Sequence, residues 1–594
     1  IFNGSIEATT LSVAASNYAL ELNGAANVIT NAVTFSNTGA LTLGDANTDS
    51  STFNNGITAT APSGVTLAGT IQTSGDTISI GDGDTAITLA ANTIVDGNTA
   101  GDITLAGAID GGYSLTLNTT GTTTLSGEIG GSTALTTLTT NANGTTVISA
   151  DITTSSTQTY NDAVTFNGTL DFTGSTVQFV STLAGNDGTG DNLTISGALD
   201  LDGAATSLTS LTVEGASNLG ANVTSSGTQT YTGAVTLSGA ARTLTTAGSA
   251  VTFSNIVNGA QDLTVDTNGT DNNSSLATVQ FGGTIGNSTA VGAVLITGNL
   301  DLNAAVTSAT SLEVTGTSNL GANVTTTSTQ TYTGASTISA NITLTTSDND
   351  VTFSSTTNAG SAGDTLDIDT GTGDLTFTGA VGGSTALGNI TIDTAGLTAA
   401  AIKLQGTLDI TNSAASSITG VISNGASAAS LTKAGAGTLT LSGTNTYTGA
   451  TTVNNGTLTV SGSGKLGNGN YSGTLTVASG KTFNYSSSSA QTFSDWGAGT
   501  GTINLNGSGT VTLSGNQDFT GTLNVSQMLI MVGVNANTEI AGLGNATTID
   551  IQNGGTIKIQ HVNHNAFLGY QSTGAPDIYI RTGGELTTDD DNGA

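Results

Sequence analysis

Apolar and polar residues alternate along almost the whole chain in short runs. Leu115-Thr-Leu117, Val164-Thr-Phe166, Leu375-Thr-Phe377, Leu439-Thr-Leu441 and Val511-Thr-Leu513 each set aliphatic or aromatic groups on one face and threonine on the other. A period of two is the signature of a strand with one face buried. Gly, Asn, Asp and Ser fill the gaps between runs, where they supply positive φ and side-chain-capped turns. No apolar stripe at i, i+3, i+4, i+7 is sustained, and Lys, Arg, Glu and Gln, all good helix formers, are scarce. The pattern predicts an all-β chain of many short strands.

Self-similarity decides how those strands are arranged. Ile195-Ser-Gly-Ala-Leu-Asp-Leu201 recurs as Ile296-Thr-Gly-Asn-Leu-Asp-Leu302, and Ser217-Asn-Leu-Gly-Ala-Asn-Val223 recurs as Ser318-Asn-Leu-Gly-Ala-Asn-Val324, both at an offset of 101 residues. Gln-Thr-Tyr begins at Gln158, Gln229 and Gln330, and Ser-Thr-Ala follows a glycine-rich turn at Ser132, Ser288 and Ser384. Unequal gaps between copies fit a solenoid, whose units touch only their neighbours. Tandem sandwiches would need strands of about 5–6 residues in antiparallel pairs and a linker between domains. No linker is visible, and only 2 Pro punctuate 594 residues. The expected fold is one long parallel β-helix (β-solenoid), with irregular strand repeats over 1–400 and a continuation over 401–594. Coils of roughly 20–25 residues, stacked at about 4.8 Å, would give about 25 coils and a rod near ~120 Å long.

One segment carries a family resemblance. Ala434-Gly-Ala-Gly-Thr-Leu-Thr-Leu-Ser-Gly-Thr-Asn-Thr-Tyr-Thr-Gly-Ala-Thr-Thr-Val-Asn-Asn-Gly-Thr-Leu-Thr-Val460 resembles the passenger-associated strand repeat of bacterial autotransporters. A degenerate second copy, Gly509-Thr-Val-Thr-Leu-Ser-Gly-Asn-Gln-Asp-Phe-Thr-Gly-Thr-Leu-Asn-Val525, follows it. The remainder is similar, more loosely, to large bacterial surface proteins with strand repeats. The resemblance implies a right-handed β-helix exported to the bacterial cell surface. In that family a membrane β-barrel follows the passenger, and none is expected within these residues.

Composition narrows the function. With 7 Lys+Arg against 41 Asp+Glu, the formal net charge is −34. That excludes binding through a phosphate backbone, which depends on Lys and Arg displacing counterions, and leaves no basic face for anionic lipid. Charged residues are only 8% of the chain, too few for charge-driven disorder. The absence of Cys removes disulfides, thiol catalysis and Cys-ligated metals together. The longest apolar stretch, Met528 to Val534, is far short of the roughly 18 residues of a membrane helix, so no membrane-spanning segment is expected. The chain begins at Ile1 with no charged and apolar leader, the expectation for a processed or partial product.

Candidate chemistry is thin. Right-handed β-helices include pectate lyases and polygalacturonases, so catalysis has to be weighed on residues. A lyase needs a cation for the enolate-like charge and a base for the proton. Arg242 and Arg581 are the two arginines, and Arg242 is the sole basic residue before Lys403, which also leaves trypsin-like proteases no cleavage site upstream. A glycosidase needs two carboxylates, and 41 acids single out no pair. His561-Val-Asn-His564 sets two imidazoles at i, i+3, a spacing that on a strand does not share a face. Gly81-Asp-Gly-Asp84, Ser347-Asp-Asn-Asp350, Asp364-Thr-Leu-Asp-Ile-Asp369 and Asp589-Asp-Asp591 are the candidate turns for structural calcium, an oxygen-seeking cation. Gly435-Ala-Gly437 and Gly497-Ala-Gly-Thr-Gly501 lack the helix and Lys of a phosphate loop and read as turns. Tyr160, Tyr231, Tyr332, Tyr447 and Trp496 read as stacked core aromatics.

The expectation is therefore a non-catalytic, extracellular structural or adhesive β-helical rod, displayed on or released from a bacterial surface. No catalytic or cofactor-binding residue is assigned. Its expected partners are copies of itself, end to end or laterally, or glycans on host or neighbouring cells. One alternative is a self-assembling subunit of an extracellular filament or surface layer, since an open solenoid end exposes unpaired strand edges. The other is a secreted polysaccharide lyase or hydrolase.

Overall fold

A computed structural model describes residues 1–269, 276–515, 517–532, 543, 546–560 and 576–589. The chain forms two compact units, Ile1–Asn299 and Leu300–Ala594. Each is a β-solenoid of short parallel strands. Helical structure among the described residues is limited to 3₁₀ turns, such as the three-residue Gly467–Gly469.

In the first unit, successive strands along the chain fall into three parallel ladders in turn. Thr169–Thr173, Thr176–Phe179 and Leu183–Gly185 make one coil. Asn192–Ile195, Ala198–Leu201 and Ala205–Leu208 lie on them as the next. The pairing is in register, with Leu170 opposite Leu193, Val177 opposite Leu199 and Leu183 opposite Ala205. Alternation does the rest: Leu170, Phe172, Val177 and Phe179 are buried, while the residues between them point outward. Because the pattern has period two, a one-residue slip would turn each inward column out to water.

The expected coil length of roughly 20–25 residues holds only in part. Polar bridges between adjacent coils span 18 residues from Asp200 to Asn218 and 31 from Asp262 to Ala293. Strands keep the fixed register and the corners absorb the variation. The tightest corners need glycine. A Cβ at Gly197, Gly215 or Gly233 would meet a carbonyl oxygen of Gly174, Gly197 or Gly215 respectively, so the four form a file down one edge.

The second unit repeats the plan. One of its ladders runs Val314, Tyr332, Phe353, Phe377, Ala399, Ile418, Leu441 and Val460, each residue opposite the next. Tyr332, Phe353 and Phe377 stack at centroid spacings of 4.8 and 5.0 Å, close to the strand spacing that sets them. In the first unit Tyr231, Phe253 and Phe281 stack the same way at 5.4 and 4.9 Å. Phe353→Ala should therefore cost about 3–5 kcal/mol in chemical denaturation. Outward Thr352→Ala should stay within about 0.5 kcal/mol. Equal costs would contradict this inside–outside assignment.

Candidate functional surface

The recurring Gln-Thr-Tyr phrase builds an internal staple. Period two turns Gln and Tyr to the same side, and both are buried at all three sites. The Gln229 amide nitrogen donates to the Val223 carbonyl at 3.5 Å and, one coil on, to the Thr245 carbonyl at 2.9 Å. Its oxygen accepts the Tyr231 hydroxyl at 3.2 Å. Gln330 reproduces this with Val324, Thr345 and Tyr332, and Gln158 with Ile152, Thr173 and Tyr160. Desolvation pushes the Tyr160, Tyr231 and Tyr332 hydroxyls well above the ordinary phenol value. These rings, together with Tyr447 and Trp496, are core groups and present nothing to a sugar.

The two passenger-like segments share a second device. The Asn445 side-chain oxygen accepts the Ile422 N–H at 2.9 Å, and its amide donates to the Gly443 and Lys465 carbonyls, both at 3.0 Å. Gln517 does the same in the second copy: it accepts the Trp496 N–H at 2.9 Å and donates to the Gly515 carbonyl at 2.9 Å. An aromatic follows two residues on in each, Tyr447 and Phe519, both buried. The Tyr447 hydroxyl meets Thr451 Oγ1 at 2.6 Å, and that oxygen meets the Tyr471 hydroxyl at 2.7 Å.

Two cations are spent inside. Arg242 Nε donates to the Ala240 carbonyl at 2.8 Å and Nη1 to the Gly220 carbonyl at 2.5 Å. Lys433 Nζ donates to the carbonyls of Ala434, of Gly435 at 2.8 Å and of Asn455 at 3.3 Å. Desolvation lowers both, Lys433 to about 8. Neither cation has a carboxylate among these partners; main-chain oxygens at a corner hold it. Arg581 is exposed and paired bidentately with Asp550 at 2.9 and 3.1 Å, its guanidinium 5.3 Å from the Tyr579 ring centre.

Five of the acids singled out above accept hydrogen bonds, three from their own turns and two from the next coil. Asp82 accepts the Thr85 hydroxyl at 2.8 Å and the Asp84 N–H at 3.1 Å, bonds that lower its pKa. Asp348, Asp350, Asp364 and Asp369 accept the N–H groups of Thr372, Asp374, Ser361 and Gly371 at 2.7–3.0 Å. Among the described residues no group of three His, Cys, Asp or Glu is placed to hold a metal. His561, His564, Asp590 and Asp591 lie outside the described residues. Asp162 is buried and accepts the Thr140 and Thr146 hydroxyls at 2.6 and 2.9 Å. Burial raises its pKa against the pull of those two bonds.

One ladder of the second unit turns two files of uncharged residues outward over five coils. Thr438, Thr457, Thr482, Thr502 and Thr522 stand in one file. Beside it run Thr440, Thr459, Asn484, Asn504 and Asn524. Asn484 donates to Thr459, Asn504 to Asn484 and Asn524 to Asn504, at 3.2, 2.8 and 2.7 Å. The files repeat at about 4.8 Å along the ladder and about 6.6 Å across it. The next coil adds Thr548 and Asp550, whose charge Arg581 meets.

Residues 431–460 and 503–527 match the model of the passenger-associated-transport-repeat family. No curated protein and no solved structure matches the chain. Lying on a β-solenoid, the two matches support an autotransporter-passenger β-helix protein. Both contain the amide-x-aromatic corner, so the repeat can be read as a packing unit. Reading the sequence missed the inward Arg242 and Lys433. The amide two residues before each aromatic was the available signal for the staples.

Lys433 gives a pH test. With a folded pKa of about 8 against an ordinary 10.5, the unfolded chain binds the extra proton between those values, so this residue makes stability rise with pH there. Buried tyrosines act oppositely above about pH 10, so the comparison is made between wild type and Lys433→Met over pH 8–10. Denaturant titrations should show the rise in wild type relative to the variant; parallel pH profiles would contradict it.

Proposed function

We propose that this chain is the extracellular β-helical part of an autotransporter-type bacterial surface protein, displayed or released, with a structural or adhesive role and no catalysis. The two transport repeats and the parallel β-solenoid support export to the surface. The observation that carries the role is the neutral Thr/Asn array over Thr438–Asn524, which is in register and regularly spaced. Hydroxyls and amides on such a lattice suit hydrogen bonding to a neutral, repetitive partner such as an extended glycan. The arginines support the non-catalytic reading. Arg242 is held by main-chain oxygens inside the coil and Arg581 is neutralised by Asp550, so neither is free to stabilise an oxyanion beside a base.

Lateral assembly of copies is a second reading favoured by the same face. Two copies share one strand spacing, so their files meet commensurately. On a chain of net charge −34, a face without carboxylates brings the least repulsion into such a contact.

Thr502→Arg sets a bulky cation in the middle of the array without touching the core. Binding to immobilised neutral polysaccharides should weaken about tenfold or more in this variant, with unchanged circular dichroism and no soluble saccharide released by either protein. Release of unsaturated or reducing-end products by the wild type would overturn the non-catalytic reading. Concentration-dependent sedimentation that Thr502→Arg abolishes, without glycan binding, would transfer the role to self-assembly.

A further inference from the structure

Ser318, Ser336 and Thr357 occupy three successive coils of one ladder in the second unit, Ser318 opposite Ser336 and Ser336 opposite Thr357. All three point inward and are at most 2% exposed. Among the described residues none of their hydroxyls has a hydrogen-bond partner. The column is apolar on either side, with Leu300 before Ser318 and Val381 after Thr357. Alanine or valine would therefore suit these positions, and a buried hydroxyl left without a partner is costly. Three in consecutive coils need an explanation.

Volume and spacing supply one. Side chains in the column shrink from leucine to two serines and a threonine, and a close-packed interior leaves such freed volume either closed by neighbours or filled. A space lined by polar groups is where buried water settles. Adjacent members stand about 4.8 Å apart, too far for one hydroxyl to reach the next at about 2.8 Å. A single water between them reaches both. Each hydroxyl offers one donor and two acceptor sites, enough for Ser336 to serve a water on each side.

We infer that this column is a binding site for a file of ordered water, one molecule between Ser318 and Ser336 and one between Ser336 and Thr357. Ser217 in the first unit is the contrasting case. It is the counterpart of Ser318 at the 101-residue offset, and its hydroxyl is likewise buried without a partner. Its column neighbours, however, are Leu199 and Val235, so no second hydroxyl stands next to it in the column to share a water.

The test uses the intact chain with isotope-labelled threonine methyls, reading magnetisation transfer from long-lived water to the Thr357 methyl. A cross-peak in wild type that is lost in Ser336→Ala, with the Thr352 methyl as solvent-exposed control, carries the proposal. No wild-type cross-peak, or one unchanged in Ser336→Ala, overturns it. Thermal melts give a second readout. With the file present, Ser336→Ala lowers Tm more than Ser318→Ala and the two are non-additive; if each substitution raises Tm independently, the hydroxyls hold no water.

Discussion

The in-register lie of one coil on the next is the constraint from which the rest of the molecule follows. Parallel strands saturate each other's backbone groups only across coils, so within its ladder a residue's neighbours are those of the coils above and below. Columns result, such as Leu20, Leu41, Val65 and Ile87 in the first unit and Tyr332, Phe353 and Phe377 in the second. A column tolerates substitution within its kind and tolerates corners of any length, as the span of 18 to 31 residues between bridged coils illustrates. It does not tolerate a change of phase, which would carry the whole inward set to the surface.

Within that constraint, the interior is more polar than an alternating pattern suggests. Corners bring main-chain carbonyls inside, and something must meet them. Gln158, Gln229 and Gln330 do so with amides that bridge coils, Asn445 and Gln517 with amides that also accept an N–H, and Arg242 and Lys433 with charge. The transport repeat is one solution to this problem: an amide, then an aromatic two residues later, at a glycine-flanked corner. Burying a lysine for this purpose costs desolvation that carbonyl oxygens repay only in part, which is why its pKa falls. The outward side has no such demands and is free to be uniform.

Much of the fold was legible because it rests on period two and on copying. The alternation in Val164-Thr-Phe166 and the 101-residue echo of Ser217 in Ser318 are direct traces of strands and coils. Less legible was whatever depends on which way a corner turns. Gln229 alternates in phase with Tyr231, so its inward direction was readable, yet a glutamine is expected on a surface. Arg242 stands two residues before Leu244, in phase with the core, but its charge argues for solvent. Only the proximity of the Gly220 and Ala240 carbonyls resolves that conflict. The Thr/Asn array was half legible: Thr457-Leu-Thr459 and Thr522-Leu-Asn524 each show one row, but their alignment into files depends on coil lengths that sequence does not disclose.

The register itself is open to a direct measurement, because the chain has no native cysteine. Thr230 and Thr252 are outward residues opposite each other on adjacent coils, about 4.8 Å apart and within the roughly 4.4–6.8 Å Cα separation that a disulfide requires. Thr230 and Ser254 are offset by two residues along the strand and lie about 8 Å apart. Oxidation of Thr230→Cys/Thr252→Cys should give a cross-linked chain in high yield, and Thr230→Cys/Ser254→Cys should give little. Equal yields, or a preference for the offset pair, would contradict the in-register parallel stacking on which this account of the molecule stands.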